Sequence, residues 1–213
     1  MGPVGRGVPG GRLVSARTPR ATLDVLERRV LAGPSRLGRT RLVSVDGPAG
    51  SGKTTLAGDL AEHLRARGTS VEVLHLDDML EGWTGLEVGV AQLLTTVLVP
   101  LSQGRPGSYR RYDWHAKAWA EDVVVPVTDV LVVEGCASAP RAAAAWTTLI
   151  VHVSTDARTR LARGLARDGE DLRTEWERWM RLEAVVLERE RVRERADVHL
   201  DGAGRIVPRP AQT

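Results

Sequence analysis

An α/β fold, with a parallel sheet covered by helices on both faces, is predicted for this chain by three observations. Short valine- and leucine-rich runs alternate with helical stretches between residues 41 and 200, the pattern of strands buried on both faces and joined by crossover helices. A glycine-rich turn, Gly47-Pro48-Ala49-Gly50-Ser51-Gly52-Lys53-Thr54, lies directly behind the first of those runs and ahead of a helical stretch. Two later runs end in or near acids, at Asp77 and Glu134, where a doubly wound sheet places its ligand crevice.

The elements follow in order. Residues 1–20, rich in Gly, Pro and Arg, read as a disordered tail,. Residues 22–32 form an amphipathic helix, with Leu23, Leu26, Val30 and Leu31 on one side, broken by Gly33 and Pro34,. A first strand over 41–46 feeds the glycine turn and a helix over 54–67. A second strand covers 71–76, and an apolar-rich helix over 86–101 is closed by Pro100 and Gly104. Strands at 129–134, 148–153 and 196–200 complete a doubly wound parallel sheet of about five strands. Between 104 and 126 the pattern changes to two short extended pieces, 108–114 and 119–125, holding both tyrosines and two of the six tryptophans. This small inserted hairpin, within 105–126, is a candidate substrate flap. The stripe Leu172, Trp176, Trp179, Leu182, Val186 has helical spacing and reads as core packing,. The expected organisation is one domain over 21–207, with a lid at 160–175 and a short tail at 208–213.

Composition narrows the function classes. The 213 residues carry a net +3, yet nine arginines against Asp24 and Glu27 give +7 before residue 46 and leave the rest at −4. The basic character belongs to the N-terminal arm, and a nucleic-acid-binding core is not expected. Cys136, the single cysteine, permits no internal disulfide and reads as a buried, inert thiol,. No secretory h-region and no apolar run of membrane-spanning length is present in these residues, so the cytoplasm is the expected location and no membrane partner is expected,.

The glycine turn is a complete G-x-x-x-x-G-K-[ST] P-loop, and the fold it implies is that of the P-loop NTPases. Its glycines let successive N–H groups turn inward around phosphate oxygens, and the helix behind adds its positive dipole end. Gly47, Ala49, Gly50, Ser51, Gly52, Lys53, Thr54 and Thr55 are the expected ATP-binding residues. Lys53, one of only two lysines, reaches the β- and γ-phosphates, and the Thr54 hydroxyl is a Mg2+ ligand,. A carboxylate near the γ-phosphate can take the proton of an attacking hydroxyl while sharing the metal, roles that suit Asp77 and Glu134. Asp78, adjacent, is the other candidate base and a substrate contact. Arg163 and Arg167, one helical turn apart, can stabilise charge on the transferring phosphoryl group, and Arg173, beyond the Asp168-Gly169-Glu170-Asp171 turn, is a further such guanidinium and an expected substrate contact,. The five histidines show no metal-ligand spacing,. The third strand ends in Glu rather than Asp, and no Asn-Lys-x-Asp element occurs, which argues against a GTP switch,.

In this order the motifs resemble the uridine kinase and phosphoribulokinase group of P-loop small-molecule kinases, from about residue 41 to 202. Tyr112-Asp113-Trp114 is similar to that group's Tyr-Asp-Phe, Val132-Val133-Glu134-Gly135 to its Phe-Glu-Gly, residues 156–168 to its arginine-rich lid approach, and Arg195 to Leu200 to its late Ala-Asp-Val strand. The resemblance implies ATP-dependent phosphorylation of a small-molecule hydroxyl, uridine or cytidine being the type acceptors. It makes Asp77 the base, puts Thr54 and Glu134 near Mg2+, closes the lid arginines over the phosphates, and leaves homo-oligomers open. Tyr112 and Trp114 would line the acceptor pocket. Departures fall on the acceptor side: Lys117 and Trp119 stand where the group has His and Arg, Met79-Leu80 replaces an aromatic pair, Gly164 replaces a lid arginine, and the segment after the second strand shrinks to residues 81–85.

Overall fold

The computed structural model describes residues 17–209. The chain runs α1 (Arg20–Ala32), β1 (Arg41–Asp46), α2 (Lys53–Arg65), β2 (Val71–His75), α3 (Leu86–Gln92), a π-helical stretch (Leu93–Leu98), α4 (Val99–Ser102), β3 (Gly107–Asp113), β4 (Ala118–Val125), β5 (Val130–Gly135), β6 (Thr147–Ser154), α5 (Ala157–Asp168), α6 (Arg173–Glu190), α7 (Val192–Arg195), β7 (Val198–Asp201) and β8 (Ile206–Val207). The main sheet has the order β2-β5-β1-β6-β7-β8. Every pairing in it is parallel except β7 with β8. The expected α/β architecture is therefore present, with six strands instead of about five. The sixth is a two-residue antiparallel edge strand, too short to leave a periodic signal in the sequence.

Strand alternation divides the core into two layers. Val43 and Val45 of β1 and Val130 and Val132 of β5 face one side, where Leu26 and Val30 of α1 and Leu56, Leu60 and Leu64 of α2 cover them. Leu42, Leu131 and Val133 face the other, against α3, the π stretch and Trp179 and Val186 of α6. Each fully buried leucine in these layers contributes about 1.5–3 kcal/mol relative to exposure. The hairpin β3–β4 forms its own two-stranded antiparallel sheet.

Two differences from the sequence expectation have local causes. The helix expected over 86–101 is interrupted by the π stretch just before Pro100, which stands in the first turn of α4. Proline has no N–H to give and crowds the carbonyl four residues back, so the ladder widens ahead of it. Described residues before 21 also take part in the fold. Thr18 is buried and its N–H donates to Asp59 Oδ2 at 2.7 Å, while residues 1–16 of the expected tail, and 210–213 at the other end, lie outside the described residues.

His152 of β6 and His199 of β7 are register partners with ring centroids 5.7 Å apart. Burial first, then the neighbouring His199, lowers the His152 pKa to about 4. A histidine held neutral contributes stability above its unfolded value of 6.5, and that contribution is lost as pH falls from 6.5 toward 4. Linkage makes the loss about 3 kcal/mol. Thermal melting as a function of pH is expected to show a shallower acid limb for His152→Leu than for wild type.

Candidate active site

The strand order reverses at β1, whose neighbours β5 and β6 arrive from later parts of the chain, and the crevice at its carboxyl end receives the glycine loop,. Gly47 has φ 138° and Gly50 φ 75°. A Cβ on Gly47 would stand 2.1 Å from the Val153 carbonyl oxygen, and one on Gly50 2.7 Å from that of Arg160. Both positions therefore need glycine for conformation and for close approach. Gly52, left-handed, caps α2 without any side-chain hydrogen bond, so the first N–H groups of the helix are left for an anion. Lys53 is buried and its Nζ donates to the Pro48 carbonyl at 3.0 Å. Ser51 is fully buried, and its hydroxyl has no hydrogen-bond partner among the described residues. Thr55 is half-buried in the first turn of α2.

Glu134, buried at the end of β5, gathers the acidic rim. Its Oε1 accepts from the Thr54 hydroxyl at 3.1 Å and lies 2.6 Å from His75 Nδ1. That hydrogen bond raises the His75 pKa against the opposing effect of burial. Asp77 is open to solvent at the cleft but walled in by protein mass, and this dehydration, followed by the charge of Glu134, raises its pKa; Lys53 and Arg167 act in the opposite sense. Asp78 is half-buried and likewise raised, chiefly by burial. It is hydrogen-bonded to Tyr109, whose own pKa burial and Asp78 push up to about 12.

The predicted arginines separate in space. Arg167 forms a two-pronged pair with Asp168 at 2.7 and 2.9 Å, and its guanidinium stands 5.7 Å from the centre of the Trp176 ring. The charges of Asp77 and Glu134 help to raise its pKa, after the Asp168 hydrogen bond, which puts it on the side of the acidic rim. Arg163 donates to the Gly50 and Gly202 carbonyls at 3.2 and 3.4 Å. Arg173 is tied instead to Glu170 on the surface. Tyr112 is buried, packed edge-on to Trp114 and Trp119 at centroid distances of 5.7 and 5.3 Å. The Trp114 indole N–H donates to the Asp77 carbonyl at 2.9 Å, fixing the hairpin to the segment that carries the candidate base.

Three residues important to this geometry were not singled out from the sequence. Asp46, the last residue of β1, is fully buried and accepts N–H bonds from Gly47, Ala137 and Ala139 at 2.6, 3.0 and 2.7 Å. Burial raises its pKa to about 6 despite those bonds and Lys53. An acid at the end of an otherwise apolar strand was the available signal. Trp83 contacts Trp114, Trp176 and Trp179 at 5.6, 5.9 and 6.1 Å. The α6 tryptophans are core residues as expected, but Trp83 also links them to the hairpin. Glu183, an acid on the apolar face of α6, accepts the Ala49 N–H at 2.7 Å; Ala49 thus points its donor away from the loop's interior.

Away from the crevice, His63 meets Glu27 at 2.9 Å and Asp24 at 3.4 Å, a grouping that histidine spacing had not suggested. Arg67 pairs with both acids, at 3.6 Å to Asp24 and 3.2 Å to Glu27, and already supplies the positive charge there. Among the described residues no helix is long and apolar enough to cross a membrane, and Cys136 is a buried free thiol.

Among solved structures, the chain is similar to a possible uridine kinase from Bacillus stearothermophilus, with TM-score 0.64 and 24% identity over 85% of this chain and 98% of that one. It is also similar to a candidate fructose transport system kinase from Silicibacter sp. TM1040, with TM-score 0.59 and 22% identity over 79% of this chain and 94% of that one. The chain has the fold of the P-loop small-molecule kinases. No family model matches it. A curated relative, a tRNA dimethylallyltransferase from Clavibacter sepedonicus, is 41% identical over 54 residues, so the match spans about a quarter of this chain and a sixth of that protein (25% and 17%). The part of the P-loop kinase fold that both structural neighbours share with this chain includes most of each neighbour's length.

Proposed function

We propose that this protein is an ATP-dependent small-molecule kinase, uridine kinase-like, that transfers the γ-phosphoryl group of ATP to a hydroxyl of a nucleoside or a similar metabolite. The observation that carries the reading is the meeting of the P-loop hydroxyl of Thr54 with Glu134, 3.1 Å apart, beside Asp77. A P-loop alone announces a bound triphosphate; a carboxylate pair at the rim of the same crevice supplies what an acceptor hydroxyl needs.

The residues present fit ATP and Mg2+. Gly47, Gly50 and Gly52 keep the loop open to phosphate, the start of α2 has no side-chain cap, and Lys53 can exchange its bond to the Pro48 carbonyl for phosphate oxygens. Thr54, Glu134 and Asp77 form a set of hard oxygen donors of the kind Mg2+ prefers. Bound there, the metal would neutralise charge on the β- and γ-phosphates. Asp77 would accept the proton of the acceptor hydroxyl, and its raised pKa makes it a better base than an ordinary carboxylate. Arg167, and Arg163 from the preceding turn of α5, would face the charge that develops on the phosphoryl oxygens. The hairpin, through Tyr112, Trp114 and Asp78, would border the acceptor.

The test is product identity. Incubated with ATP and Mg2+, the protein is expected to form a monophosphate from uridine or cytidine, read by chromatography and mass spectrometry. If a nucleoside panel yields none while a sugar or vitamin panel yields a phosphate ester, the kinase reading stands and the nucleoside assignment falls. ATP hydrolysis with no acceptor product on any panel would make the chain an ATPase or an ATP-binding regulator.

A further inference from the structure

The tip of the P-loop is held by two helices that lie more than a hundred residues further along the chain. Glu183 of α6 is 1% exposed and accepts three bonds: from the Ala49 N–H at 2.7 Å, from Arg160 Nη1 of α5 at 2.6 Å, and from the Trp179 indole N–H at 3.1 Å. Arg160 Nη1 also reaches the Ala49 carbonyl at 3.3 Å, so this acid–base pair holds both polar groups of one peptide residue. One residue on, the Gly50 carbonyl accepts from Arg163 at 3.2 Å, and the Gly50 Cα faces the Arg160 backbone too closely for a Cβ.

A buried ion pair is a costly way to hold a fold together, and well-packed apolar residues of similar volume often serve stability as well or better. Burial works against the Glu183 charge, and its pKa is raised in spite of the Ala49 N–H, Lys53 and Arg160. What apolar replacements cannot do is fix the direction of the Ala49 peptide. We propose that Glu183 and Arg160 are positioning residues that preform the P-loop for nucleotide and couple its shape to α5, the helix that presents Arg163 and Arg167. The inference rests on the loop being a nucleotide site. With the Ala49 N–H and C=O already engaged and the Ser51 N–H turned to the Pro48 carbonyl at 3.3 Å, the uncapped N–H groups at the start of α2 are left to converge on phosphate,, and little reorganisation of the backbone accompanies binding. A shift of α5 is transmitted to the loop through Arg160 and Arg163 together.

The experiment pairs calorimetric titration of ATP-Mg2+ with thermal melting for wild type, for Glu183→Gln and for the apolar double variant Arg160→Leu/Glu183→Leu. The double variant is expected to melt close to wild type but to bind ATP about tenfold more weakly or worse, the loss of a preorganised contact. Glu183→Gln, which keeps an oxygen for the Ala49 N–H but not the charge facing Arg160, is expected to lie between, weaker by about threefold. If the double variant does not fold, Glu183→Gln carries the test alone. Wild-type binding with unchanged affinity in the folded variants overturns the clamp and leaves the kinase reading intact. A wild type that binds no ATP overturns the nucleotide site and the clamp with it.

Discussion

Asp77→Asn is expected to lower phosphoryl transfer by about 10²–10⁴-fold, the usual contribution of a positioned general base, while ATP affinity stays within about twofold or improves slightly. Asparagine matches the shape of the side chain but cannot take a proton from the acceptor. Asp77 is the right carboxylate to remove because its pKa is raised by dehydration and by Glu134, with Lys53 and Arg167 as opposing charges; these are the groups that surround a transferring phosphate in the proposed reaction. Removing its charge relieves repulsion with Glu134 and with a bound triphosphate but also weakens its hold on Mg2+; the two effects oppose each other in ATP affinity, so binding and turnover are expected to move apart. Steady-state rates with the acceptor identified by the panel, together with ATP titration, check both halves. Asp78 is the control: its carboxylate is hydrogen-bonded to Tyr109 and offset by His75 and Arg111. If Asp78→Asn loses turnover and Asp77→Asn does not, the two acids exchange roles.

How much of this was legible in the sequence depends on the range of the constraint. β1 falls on residues 41–46 as read, and the P-loop, its helix and the acids after β2 and at the end of β5 follow, because each is specified by a handful of adjacent residues. The hairpin was visible through a change of pattern, with its edges one residue away. The π stretch was not: apolar spacing over 86–101 looks the same in either ladder, and only the consequence of Pro100 distinguishes them. The site's supports were hidden for another reason. Glu183 is a polar interruption in the stripe of Trp176, Trp179 and Val186 that drew no notice in the sequence, and only its contact with Ala49, from a remote part of the chain, shows what the side chain does. Trp83 sat in a short segment with no periodicity, yet it joins the hairpin tryptophan to those of α6. Arg163, Arg167 and Arg173 were alike in sequence and are held by three different partners. Local chemistry could name the donor half of the proposed site; the proposed acceptor half would be assembled from contacts between distant segments.

Gly47→Ala is the second large effect, and it falls on folding as well as on binding. At φ 138° an L-residue is strained wherever it has room, at about 1–3 kcal/mol. Here it has none: the new methyl carbon would lie 2.1 Å from the Val153 oxygen and 3.1 Å from its carbonyl carbon. Those atoms belong to β6, which is hydrogen-bonded to β1 along its length, so neither partner can withdraw without opening the centre of the sheet. Overpacking against backbone adds about 1–3 kcal/mol, and the sum corresponds to a fall in melting temperature of several degrees, at about 2–4 °C per kcal/mol for a chain of this size. Gly68→Ala separates the two causes. Its φ of 85° is also left-handed, but nothing lies within 4 Å of the added carbon, so only the strain should appear, about 1 kcal/mol. A melting loss for Gly47→Ala no larger than for Gly68→Ala would mean that β6 yields and that the close approach of loop and strand is not what requires glycine there. A clearly larger loss, together with the loss of ATP binding in the fraction that remains folded, would locate the requirement in the contact between the P-loop and Val153. The seat of the loop against β6 would then shape the proposed nucleotide site together with the hold of Glu183 and Arg160 on its tip.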